Sequence, residues 1–430
     1  MTKGPTTRLR HSAVLAALTF AWLATPAAAE VVFLSTQLRP IESAQKLRSE
    51  ILKDFPGGAE FVTEQPPQLG VHIRAEQQAG KPVSSLIGAL HGELQPLAAE
   101  SLVPLDDVLE TLKDRGLNPG MVEAGKLGTT KQMFIPWMQA TYIMVANKQA
   151  LPFLPAGADI NALTYDQLAQ WGANIQAKTG KRMIGFPAGP TGLMHRFFEG
   201  YLYPSYTGGV VTTFKSPDAV AMWTTFRDLW KTVNPNSTNY GFMQEPLLSG
   251  DVWIAFDHVA RLIDALSRKP DDFVAFPAPS GPKGLGYMPV VAGLAIAKGA
   301  PQAEEAKQLI AYLTRPDMQV KTAKAVAFFP VVKVDLPGDI DPGLKLEIDA
   351  VQKMTSAKNA LVSLLPVGLD QRGGEFDKVY LDTFQRIVLR GEDPKAALDR
   401  QGQALKRIIA ETKARCWLPD KPSDGPCPVE

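Results

Sequence analysis

The sequence predicts an α/β protein built as two units, and three observations carry that reading. Apolar, β-branched runs of strand length alternate with segments whose apolar residues recur at helical spacing. Of the 430 residues 45% are hydrophobic, enough to fill more than one core. Without the first 29 residues the chain is still about 400 residues long, beyond the size at which a single core keeps growing.

Those first 29 residues read as an export signal. Lys3, Arg8 and Arg10 precede an apolar run from Ala13 to Ala24, and Pro26-Ala27-Ala28-Ala29 supplies a small-residue exit. The run is shorter than the roughly 20 residues a bilayer-spanning helix needs. Cleavage is expected after Ala29. The new N-terminus, Glu30, is not a cysteine, so the expected product is an unanchored periplasmic protein. No later apolar stretch is long and uninterrupted enough to cross a bilayer. Lys and Arg number 45 against 44 Asp and Glu; losing the three basic signal residues leaves 42 against 44. A nearly neutral chain argues against nucleic acid, which calls for a clustered basic surface.

The elements follow in order. Val31 to Thr36 is a buried strand, and Ile41 to Phe55 a helix with Ile41, Ala44, Leu47, Ile51 and Phe55 on one face. Gly57-Gly58 stops it. Ala59 to Glu64 is a second strand, Leu69 to Gln78 a helix, and Ser85 to Leu90 a third strand, followed by a short helix from Glu93. This alternation predicts a parallel sheet with helices on both faces. Ligands sit beyond the carboxyl ends of such strands. That rule selects Thr36, Gln37 and Arg39, then Glu64 and Gln65, then His91 and Glu93.

A second unit follows. Met133 to Ala146 reads as one long extended stretch. Thr164 opens an amphipathic helix, and Arg182 to Phe186 is a strand ended by the loop Pro187 to Gly192. An aromatic-rich helix runs from Leu193 to Tyr203. Ser216 caps a helix with Pro217 in its first turn. Val252 to Phe256, Phe273 to Phe276 and Pro289 to Ala297 are strands. Helices close the chain at Gln302–Leu313, Pro342–Met354, Glu375–Arg390 and Pro394–Arg415. Cys416 and Cys427 flank a Pro-rich loop and are expected to pair in an oxidising compartment.

Several segments in order resemble one family: GALHGELQPLAAESLVPLDDVL (88–109), FIPWMQATYIMVANK (134–148), TFKSPDAVAMWTTFRDLW (213–230), LLSGDVWIAFDHVARL (247–262), FPAPSGPKG (276–284), VAGLAIAKGAPQAEEAKQLIAYLT (291–314), FFPVV (328–332) and IVLRGEDPKAAL (387–398). The family is that of bacterial extracellular solute-binding proteins of carbohydrate ABC transporters, maltose-binding type. The resemblance implies a two-lobed periplasmic binding protein fold with about three hinge crossings. Residues 30–140 with 280–330 form the expected first lobe, and 141–279 with 331–430 the second, including the C-terminal helices and the disulfide-closed tail. It further implies a monomer that captures a sugar or sugar-like solute between the lobes and hands it to membrane permease subunits, with no cofactor.

A sugar site needs flat aromatic faces for the ring and planar polar groups for the hydroxyls. Trp137 and Gln139, in the first expected crossing, face one side of an extended chain, although a packed core aromatic is the competing reading of Trp137. Asp257, His258 and Arg261 cluster where similar proteins carry a small or amide residue and then Gly; an internal Asp257–Arg261 salt bridge is the alternative. His195, Arg196 and Phe198 follow the loop Gly189-Pro190-Thr191-Gly192, a place where a helix start can hold an anion. Tyr287 and Arg372 complete the ligand candidates, and Phe376 with Tyr380 fit either a stacking face or the core. A phosphorylated polyol or glycerol phosphate ester is the second solute class. A secreted carbohydrate-active enzyme is a remote third, since Glu64, Glu93 and Asp257 are carboxylates of the kind a glycosidase needs. No nucleophile-elbow, zinc-protease or phosphate-loop motif occurs, and nothing calls for a metal.

Overall fold

A computed structural model describes residues 30–37, 41–335 and 337–430, with Met1, Thr2 and Gly4. The export segment, apart from those three residues, lies outside the described residues, as does Arg39.

The first sheet holds β1 (Val31–Ser35), β2 (Ala59–Thr63), β3 (Leu86–Leu90), β4 (Ile135–Ala140) and β10 (Val290–Ala295) in the order β2-β1-β3-β10-β4. The three early strands are parallel, as the strand–helix alternation predicts. The sheet is nevertheless mixed: β10 runs antiparallel to both β3 and β4. β4 and β10 belong to chain that passes to or from the second unit, so no crossover helix sets their direction.

The second sheet holds β5 (Tyr142–Asn147), β6 (Ile184–Gly185), β7 (Ile254–His258) and β8 (Phe273–Phe276) in the order β6-β7-β5-β8, with β5 antiparallel to β7 and β8. The expected single stretch from Met133 to Ala146 is therefore two strands in two sheets, parted at Thr141. Behind this sheet lies an aromatic core. Phe197 packs 4.9 Å from both Phe186 and Phe256, and Trp230 lies 4.8 Å from Phe384. A small third sheet pairs β9 (Leu285–Tyr287) in parallel with β11 (Ala360–Val362). β9 packs against the second unit, where Gly286 approaches the Tyr201 carbonyl too closely for a Cβ.

The chain passes between the units at Thr141, at Met288–Pro289 and near Phe329. At the last, the Gln139 and Phe329 backbones exchange hydrogen bonds of 3.1 and 2.7 Å. The Thr141 hydroxyl donates to the Met288 carbonyl at 2.9 Å, tying two crossings together. Val331 and Val332 bury against Leu34, Ile73 and Leu97 of the first unit.

Cys416 and Cys427 form a disulfide. Inside the closed tail, the Asp420 carboxylate accepts the N–H groups of Val210, Val211 and Thr212 at 2.8–2.9 Å and the Thr212 hydroxyl. The Leu418 carbonyl accepts from the Leu364 N–H at 3.0 Å. Trp417 packs on Phe376, their centroids 5.5 Å apart.

Candidate functional site

A cavity of about 340 Å³ lies between the two units. The first unit contributes Pro66, Pro67, Gly70 and Arg74 from the Pro66–Gln78 helix, and Leu90, Gly92, Glu93 and Pro96 from the end of β3 and the helical turn after it. The second contributes Arg196, the turn Leu365 to Gly374, and Asp377.

Glu93 is placed by the strand-end geometry that selects it in the sequence. Its Oε2 accepts the Thr36 hydroxyl at 2.6 Å and the Leu90 N–H at 2.9 Å, fixing the carboxyl at the cavity wall. Burial pushes its pKa up, partly offset by those two donors. Gly92 is needed for the walls to approach: a Cβ there would lie 2.7 Å from the Pro366 carbonyl oxygen. Beside it, the Gln95 Oε1 accepts the Gly368 N–H at 3.0 Å, a hydrogen bond from one unit to the other.

Arg196 stands on the short Met194–Phe197 helix. It donates to Glu199 Oε2 at 2.8 Å and lies 3.5 Å from Asp377 Oδ1. Burial opposes its charge, but Asp377 and Glu199 outweigh burial and hold the guanidinium above its ordinary range. Glu199 is raised well above the carboxylate range by burial and then by Asp377. The three groups thus form a buried hydrogen-bonded cluster around one guanidinium, with Arg196 and Asp377 turned to the cavity. His195, 3.5 Å from Asp377, is pushed down to about 4 by burial, against the pull of that carboxylate.

The other expected residues divide. Gln37 sits at the end of β1, its N–H bonded to the Ser35 hydroxyl, and does not line the cavity. Glu64 is turned toward His72, 3.1 Å away. His91 is buried, with no hydrogen bond to either ring nitrogen among the described residues, and burial lowers its pKa to about 4. Gln139 is taken up by the crossing, donating from its side chain to the Pro330 carbonyl at 2.9 Å. Tyr287 is half-buried on β9. Arg372 faces away from the cavity and pairs with Glu375 and Glu411.

Two aromatic expectations are corrected. Trp137 is fully buried, 5.3 Å from Phe33. A bulge leaves it opposite no partner, between Pro136 and Met138, and breaks the alternation that would have set it beside Gln139. Phe198 is fully buried among Trp223, Phe226 and Phe384. Among the described residues, no aromatic side chain lines the cavity.

The second expected cluster is real but internal. Asp257 accepts N–H groups from Met243 and His258 at 2.9 and 2.8 Å, and burial raises it to about 6. His258 accepts from the Ala260 N–H at 3.2 Å, packs edge-on to Tyr142, and is pushed down to about 3 by burial. Arg261 donates to the carbonyls of Thr191 and Gly241 and covers Phe242, and makes no ion pair with Asp257. Arg74, Gln371 and Asp377 line the cavity and are absent from the sequence-based set.

The family model for bacterial extracellular solute-binding proteins matches residues 49–320, more than half of the chain. The protein belongs to that family. Membership places it outside the cytoplasm, periplasmic or secreted. No curated protein matches the sequence. Among solved structures, the maltose-bound MalE3 of T. maritima superposes with a TM-score of 0.71 at 18% identity, covering 88% of this chain and 100% of that one. UgpB from Mycobacterium tuberculosis, solved with glycerophosphocholine, gives 0.70 at 17%, covering 89% and 99%. The GacH receptor of Streptomyces glaucescens, solved unliganded and with acarbose, gives 0.69 at 17%, covering 89% and 98%. These likenesses establish the shared two-lobed fold.

Proposed function

We propose that this solute-binding protein is the capture component of an ABC importer: it takes a sugar or sugar-like solute into the interlobe cavity and delivers it to the membrane permease. The observation that carries the reading is a single cavity with polar side chains from both lobes, Glu93 on one wall and Arg196 with Asp377 on the other. A solute touching both walls favours the closed form, and closure is the signal a permease reads. Glu93, Arg196, Gln371 and Asp377 take hydroxyl groups in this reading. The hinge runs through Thr141, Met288–Pro289 and Phe329, and the protein acts as a monomer after cleavage behind Ala29. It performs no chemistry on the solute.

The test is a melting-temperature screen of the purified protein with oligosaccharides, polyols and their acidic derivatives. A solute at 100 times its dissociation constant adds about 2.7 kcal/mol of stability. Chemical turnover of a panel compound would sink the proposal. N-terminal sequencing of exported protein tests the cleavage site, with Glu30 as the expected first residue.

A further inference from the structure

Among the described residues, two guanidinium groups line the cavity, and their surroundings differ. Arg196 is paired with Asp377 and hydrogen-bonded to Glu199. Arg74 takes part in no ion pair or side-chain hydrogen bond among the described residues. The acids on its own helix and at that helix's start are engaged elsewhere. Glu64 and Glu76 hold His72 between them, and Glu76 also takes the N–H groups of Val83 and Ser84. Arg74 instead folds back toward the start of its helix and lies over Gly70, where a Cβ would meet its guanidinium at 3.1 Å. The bare glycine lets the cation lie flat against the helix at the cavity wall. Among the described residues, the cavity offers no aromatic face for an uncharged sugar ring.

We infer that the solute is a polyhydroxylated acid carrying one carboxylate or phosphate, with that anion seated on Arg74 and the hydroxyls on Glu93, Arg196 and Asp377. Charge-assisted, bidentate pairing with a planar guanidinium suits either anion. The inference rests on the capture reading above, but fails separately from it. Asp370, on the opposite wall, is the competing partner for Arg74, because lobe closure moves the two walls toward each other.

The experiment titrates matched pairs by calorimetry: glucose against glucuronate and glucose 6-phosphate, and glycerol against glycerol 3-phosphate. In at least one pair the acidic member is expected to bind tenfold or more tightly than the neutral one, and to weaken as NaCl rises from 50 to 500 mM. The carboxylate and phosphate arms decide which anion is used. Arg74→Gln should lose at least tenfold of that affinity, Arg74→Lys should restore part of it, and neither should move the melting point of the protein alone. Asp370→Asn should leave the affinity equal or tighter. Neutral members binding as tightly, Arg74→Gln without effect, no acidic member binding, or Asp370→Asn weakening binding as much as Arg74→Gln would each overturn the inference. Neutral-sugar binding lost in Glu93→Gln would at the same time uphold the capture reading.

Discussion

The two walls of the cavity are built in different ways. The first-lobe wall is built on two adjacent strand ends: β3 ends, a helical turn begins, and Glu93 is fixed by Leu90 three residues before it and by Thr36 just beyond the neighbouring β1. The second-lobe wall is assembled from afar. Arg196 is set by Glu199 and Asp377, and the turn from Leu365 to Gly374 is flanked by two contacts to the tail, Leu364 with Leu418 and Phe376 with Trp417. A wall held by its own sheet tolerates change in the C-terminal tail, whereas a wall propped by that tail transmits it.

The largest expected effect breaks the second wall. Arg196→Ala leaves Glu199 and Asp377 without their counter-charge and should cost about 3–5 kcal/mol, the range for removing one partner of a buried ion pair. Urea unfolding measures it. Phe198→Ala should cost a similar 3–5 kcal/mol through its cavity in the aromatic core, with solute affinity unchanged at temperatures where the variant is folded; a selective affinity loss would return Phe198 to the ligand set.

Acid sharpens the comparison next. His258 has a folded pKa of about 3, well below its unfolded value near 6.5. The unfolded chain therefore binds its proton first, so stability falls as pH drops from 6.5 toward 3. His91 and His195, both near 4, add to the same limb. Asp257, raised to about 6 in the fold, opposes it: its contribution is greatest below the unfolded carboxylate range and is lost as pH rises through 6. Glu93 and Glu199, also raised by burial, act in the same sense as Asp257, so the imidazole contribution is isolated by substitution. His258→Asn should flatten the limb in melting scans between pH 4 and 6.5, and an unchanged slope would remove His258 from the account.

Replacing both cysteines by serine should cost about 3 kcal/mol or less on loop entropy. Its effect should be lopsided: hydrogen exchange should quicken at residues 364–374 and 210–212, and stay unchanged at Leu90–Glu93. The smallest effect is at the meeting of the walls. Gly92→Ala presses a methyl on the Pro366 carbonyl and should weaken solute binding about tenfold, or 1.4 kcal/mol, with little change in the melting point of the protein alone. An unaltered affinity would mean that the walls need not approach there.

The same contrast explains what was legible in the sequence. Strand and helix positions follow from apolar spacing, and Glu93 follows from the strand-end rule, because both depend on residues close in the chain. Arg196 was reachable from the glycine loop before it, though for its position rather than for the hydrogen-bonded cluster that holds it. Gln371 and Asp377 were not reachable, since their wall exists only once a tail some forty residues on has docked. Arg74 was missed because it lies within a helix, where a rule about loops does not look, and enters the cavity only by folding over Gly70. Trp137 misled because one bulge reverses the facing that alternation assigns. The mixed strand directions were hidden for a related reason: the chain's passage between units carries no local signal.

The bond pair between Gln139 and Phe329, with Thr141 tied to Met288, has a mechanical consequence. Three crossings tied to one another in this way form a leaf spring, compliant to folding across its width and stiff to twisting. In the proposed capture cycle, closure would then be a swing about nearly one axis. A swing with a fixed axis carries every outer point of a lobe along a set arc, so a docking receptor can gauge occupancy from the angle alone, whatever the cargo's shape.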